Sequence, residues 1–89
     1  MNLVNQTVSV NSFYFAGGRG RALKSFPRQI ELNGSFITFA ETGLRYLIRR
    51  GEQAVQLFDM SGTDGTTYRL KSDGRQWLLV GTKAAKAGA

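Results

Sequence analysis

Catalysis in this chain would have to run on carboxylates or hydroxyls. The sequence contains neither histidine nor cysteine, which removes the commonest general base, the commonest zinc ligands and the thiolate nucleophile together. Its six acids are Glu31, Glu41, Glu52, Asp59, Asp64 and Asp73. Asp73 precedes Gly74 in a turn signal and Glu52 follows Gly51 in another, so both have local roles that need no substrate. Asp59 and Asp64 flank Ser61-Gly62-Thr63, but the stretch lacks the ligand spacing and closing glutamate of a calcium loop. No serine stands at a spacing that forces contact with a lysine base. This inventory points to a non-enzymatic protein with no cofactor and no metal.

Recognition of anions is the chemistry the residues favour. Twelve Lys and Arg against six acids leave a net charge of +6 on 89 residues, a positive field suited to polyanions. Gly17 to Lys24, GGRGRALK, reads as a glycine-rich basic loop. Its glycines expose backbone N–H groups, and Arg19, Arg21 and Lys24 supply charged donors for phosphate oxygens. The spacing of a Walker loop is absent, and a solvated loop with arginines for solubility accounts for the same residues.

A second cluster depends on strand faces. If the sheet side opposite the core carries Arg45, Arg49, Arg69 and Lys71, these cations could track a nucleic-acid backbone. Phe58 would then be the stacking residue and Phe36 a second aromatic. The leading expectation is binding of RNA or single-stranded DNA through phosphates, largely electrostatic. The alternative is a protein-interaction or structural module, self-associating or with another partner, that uses a strand edge or the aliphatic patch of Leu47, Leu78 and Val80.

These residues need strands to position them. Thr66 to Gly81, TTYRLKSDGRQWLLVG, reads as a hairpin about an Asp73-Gly74 type I′ turn. That turn pairs Leu70 with Trp77 and Tyr68 with Leu79 on an apolar face, with Arg69 and Lys71 on the other. FPRQIEL-NG-SFITFAE reads as a hairpin about Asn33-Gly34, with Phe26, Ile30, Leu32, Ile37 and Phe39 on one face. Leu44 to Met60 reads as a third about Gly51-Glu52. There Leu44, Tyr46 and Ile48 share a face with Val55 and Leu57, while Arg45, Leu47 and Arg49 share the other with Ala54, Gln56 and Phe58. A short helix over Gly43 to Arg50, N-capped by Thr42 and stopped by Gly51, also fits that stretch. In residues 3 to 16, Val8 and Val10 alternate and Phe13 and Phe15 alternate out of phase, so Asn11-Ser12 reads as a bulge or a turn.

The chain therefore reads as all-β (or α+β with one short helix near 43–50). The expected form is an antiparallel meander of six to eight short strands, as a small barrel or strongly curved sheet. One domain is expected over residues 1–82, with a frayed, small and basic tail over 83–89. The start of the chain lacks the pattern of a secretory leader and no apolar run is long enough to span a membrane, so a cytoplasmic location is the default expectation.

Overall fold

The structure, a computed structural model, describes residues 1–85, with the side chain of Arg21 also outside the described set. It is all-β: β1 (Asn2–Gly18), β2 (Arg21–Leu32), β3 (Ser35–Thr38), β4 (Leu44–Arg50), β5 (Gln53–Ser61), β6 (Thr67–Ser72) and β7 (Trp77–Lys83). These form one antiparallel sheet in the order β3-β2-β1-β7-β6-β5-β4. The helical alternative over Gly43 to Arg50 is overturned, because β4 pairs with β5 throughout, from Leu44↔Asp59 to Arg50↔Gln53. An isolated two-turn helix is a poor nucleus, whereas Gly51-Glu52 folds the stretch straight back onto a complementary strand.

The topology forces the sheet to curl. β3 and β4 are its two edges, and in a flat sheet they would stand about 29 Å apart at strand spacings of about 4.8 Å. Residues 39–43 join them, and such a link reaches at most about 21 Å. The edges therefore approach one another. Phe39 bridges Gly62, and Ala40 N–H donates to the Ser61 carbonyl at 2.8 Å. Thr63 N–H donates to the Thr38 carbonyl at 3.3 Å, so the end of β3 and the residues after it meet the end of β5. The sheet remains strongly curved without closing into a barrel.

β1 is the strand about which the curl is made. Its first half pairs with β7 through Val8↔Trp77, and its second half pairs with β2 from Ser9↔Glu31 to Gly18↔Arg21. Register shifts on either side of Ser12 place the bulge where the sequence suggested it, inside one continuous strand. Val8, Val10, Tyr14 and Ala16 keep to the more buried row, and Phe13 and Phe15 are exposed.

The concave side holds the core: Val8, Phe26, Ile30, Phe39, Phe58, Met60, Leu70 and Leu79, with Tyr68 and Trp77 packed against it. Phe58 is central, edge-on to Phe26 at 6.1 Å between centroids and tilted against Trp77 at 5.1 Å. The Tyr14 hydroxyl donates to the Phe39 carbonyl at 2.9 Å, giving a half-buried polar group a partner on the edge that folds over.

The Asn33-Gly34 hairpin has the expected register, Leu32↔Ser35 and Ile30↔Ile37. The last hairpin does not. Ser72 pairs with Trp77 and Leu70 with Leu79, so Asp73 to Gln76 is a four-residue loop. Asp73 Oδ1 accepts from the N–H groups of Arg75 and Gln76, each at 2.8 Å, a side-chain turn that competes with the two-residue form. From Leu70 to Ser72 the register moves by two, which keeps Leu70, Trp77 and Leu79 on the expected face. A bulge between Arg69 and Leu70 adds one more, so that Tyr68 pairs with Thr82.

The hydrogen bonds from Gln76 and Arg75 hold the Asp73 carboxyl below its ordinary value. A depressed pKa contributes stability above the unfolded carboxylate range, and that contribution is lost as pH falls through the folded value. Asp73→Ala is therefore expected to lower the urea midpoint at neutral pH. The gap from wild type should narrow as the pH falls below the unfolded aspartate value of about 3.9. A gap that does not narrow on that acidification would remove the carboxylate from the account.

Lys83, expected at the start of the tail, ends β7 and pairs with Thr67; residues 86–89 lie outside the described set. Among the described residues no helix is long and apolar enough to cross a membrane.

Candidate interaction site

The expected basic loop is strand almost throughout. Ala16↔Lys24 and Gly18↔Arg21 pair, leaving Arg19-Gly20 as a two-residue turn. Both turn residues have positive φ, 50° at Arg19 and 88° at Gly20, which is the type I′ geometry that suits the right-handed twist of the flanking strands. Arg19 and Lys24 are exposed at this hairpin end. Arg21 pairs through its backbone, and its side chain lies outside the described set.

The four sheet cations do not share a face. Arg45 is opposite Phe58 and Arg49 opposite Ala54, while Phe58 pairs with Leu70, Asp59 with Arg69 and Leu57 with Lys71. Arg45 and Arg49 therefore belong to the concave side with Phe58, and Arg69 and Lys71 to the convex side. The faces within the β4–β5 hairpin are as the sequence indicated, but the core lies on the other one. Phe58 is 1% exposed and cannot offer its ring to a base. Arg45 is half-buried with its guanidinium 5.8 Å from the centroid of that ring, a contact in which a cation covers an aromatic.

Arg69 is also occupied. Its Nε and Nη2 donate to Asp59 Oδ1 and Oδ2, both at 2.8 Å, a bidentate pair across β5 and β6. The hydrogen bond and charge of Asp59 raise the guanidinium pKa further above its already high value. Lys71 is half-buried between Leu57 and Leu78. Phe36 lies opposite Glu31 on the far edge and is exposed.

The inversion of the β4–β5 hairpin sends Leu44, Tyr46 and Ile48 to the convex side, where they are 60%, 42% and 44% exposed. Leu47, on the concave side of the same strand, is 55% exposed. Beside them Ile48, Val55, Leu57, Val80, Arg69 and Lys71 line an open depression of about 470 Å³. β4 thus exposes apolar side chains on its convex face, carries Leu47 between Arg45 and Arg49 on its concave face, and has one ladder neighbour.

Turn geometry also sets which backbone groups β4 leaves free. Gly51-Glu52 is a two-residue turn with Gly51 at φ 58°, and the pair that closes such a turn, Arg50↔Gln53, exchanges both of its hydrogen bonds. Alternation along the strand then turns the N–H and C=O groups of Arg45, Leu47 and Arg49 away from β5, toward the open edge. A seven-residue edge strand with four exposed apolar side chains, Leu44, Tyr46, Leu47 and Ile48, forms a template for another extended chain. Sequence reasoning named a strand edge in general; it missed β4 because Tyr46 and Ile48 read as core.

Comparison of the chain with protein-family models, with curated proteins and with solved structures finds no match.

Proposed function

We propose that this chain is a non-enzymatic polypeptide-binding module that adds an extended segment of a partner to the open edge of β4. The observation that carries this reading is the end position of β4 in the sheet, combined with the exposure of Leu44, Tyr46, Leu47 and Ile48. Strand addition supplies affinity through main-chain hydrogen bonds and specificity through alternate side chains. Phosphate-tracking by the sheet has less support, since Phe58 is buried, Arg69 is held by Asp59, and the cations divide between two faces.

Panning a library of displayed linear peptides against the full chain is expected to return extended sequences with apolar residues, and Leu47→Pro tests the geometry. Proline there removes an N–H that faces solvent, a position where edge strands tolerate it. Affinity for the selected peptides should fall by at least about tenfold, the loss expected when outward edge hydrogen bonds are removed, while the urea midpoint shows the variant folded. Unchanged affinity in folded Leu47→Pro would count against strand addition. The same samples are titrated with labelled single-stranded RNA, single-stranded DNA, duplex and heparin at ~50 and ~200 mM salt. RNA binding that exceeds heparin, falls in Arg19→Ala and ignores Leu47→Pro would return the function to the basic hairpin.

A further inference from the structure

We infer that the segment received by β4 is acidic, with carboxylates placed opposite Arg45 and Arg49 and an apolar residue opposite Leu47; this rests on strand addition at β4. The strand LRYLIRR contains three arginines and no acid. Arg45, Leu47 and Arg49 lie on one face at alternate positions, and they are also the residues whose peptide groups point to the open edge. An antiparallel partner residue paired with each of them places its side chain on that same face. The side-chain order therefore reads carboxylate, apolar, carboxylate at every second position. The two intervening partner residues lie on the convex side beside Tyr46 and Ile48 and are apolar.

A second copy of the chain is disfavoured as the occupant by the same residues. Antiparallel pairing about Leu47, which uses the whole strand, sets Arg45 of each copy against Arg49 of the other. Directly opposed like charges destabilise a strand pair. Nor is the charge on β4 neutralised locally. Among the described residues the one salt bridge is between Arg69 and Asp59, so the carboxylate nearest β4 on the neighbouring strand is engaged elsewhere. Arginines that keep two β4 edges apart thus also select an acidic strand.

The test uses the full chain and two labelled peptides, one with the core Glu-Val-Leu-Val-Glu and one with Lys-Val-Leu-Val-Lys, read by fluorescence anisotropy. The acidic peptide should bind at least about fivefold more tightly, the size expected for two exposed opposite-charge pairs replacing like-charge pairs. The double variant Arg45→Glu with Arg49→Glu should reverse the preference. Arg49→Glu alone, remote from the Phe58 ring, should abolish the preference if the double variant does not fold. Equal affinity for the two peptides, with both lost in Leu47→Pro, would overturn the acidic inference and leave strand addition standing. Tight acidic binding that persists in Leu47→Pro would overturn strand addition itself, as would failure of both these peptides and all library-selected peptides to bind.

Discussion

Phe58→Ala is expected to lower the unfolding free energy by about 3–5 kcal/mol, the cost of removing a fully buried aromatic and leaving a cavity. The ring touches Phe26 and Trp77 and supports Arg45, so its loss removes packing from both halves of the curved sheet. Small domains hold about 5–15 kcal/mol in total, and the variant should be largely unfolded at modest urea. The measurement is the urea midpoint with the far-ultraviolet signal and Trp77 fluorescence as paired probes. A loss below about 1 kcal/mol, the level of a surface change, would show that Phe58 is not in the core and would reopen it as a stacking residue.

Gly43→Ala is expected to cost about 1–3 kcal/mol through overpacking. Gly43 lies in the link that carries the chain from β3 to β4. A Cβ there would collide with the Asp59 carbonyl oxygen and come within 3.0 Å of Met60 Sδ. The carbonyl belongs to β5 and cannot swing aside, so the link must move and take the start of β4 with it. Besides a lower urea midpoint, faster amide exchange at Leu44 and Tyr46 than in wild type should mark the displacement. An unchanged midpoint and unchanged exchange would mean the link is not packed against β5.

The physical reach of sequence reasoning shows in particular elements. Asn33-Gly34 set both turn and register, since positive φ at two adjacent positions admits few alternatives. Gly51-Glu52 set the β4–β5 pairing and thereby the faces of that hairpin. Asp73-Gly74 placed a turn correctly and its register incorrectly, because the Asp73 carboxylate binds two N–H groups farther along. The basic stretch at Gly17 became a hairpin because Arg19 accepts positive φ beside Gly20.

What no local signal settled was which face of one hairpin joins which face of the next. Five residues, Gly62 to Thr66, carry the chain from β5 to β6, and a one-residue change in pairing across that loop exchanges the two sides of β5. With Phe58 opposite Leu70, Phe58 becomes core, Arg45 its cover, and Tyr46 and Ile48 a solvent-facing surface. That choice separated the arginines expected to act together and produced the exposed strand where the binding site is proposed.

The sequence by itself determined a predominantly antiparallel β chain, the turns at Asn33-Gly34 and Asp73-Gly74, the residues sharing a face within each hairpin and the excess positive charge. These follow from turn chemistry and from the two-residue period of a strand, both local properties. Gly43 to Arg50 fitted either a strand or a short helix, and its pairing with β5 decided between them. Only the tertiary structure decided that β1 pairs with β7, that β3 and β4 become the edges, and that β4 is left open. Those outcomes depend on pairing between distant strands and on a short link that bends the sheet, and neither leaves a periodic trace in the residues.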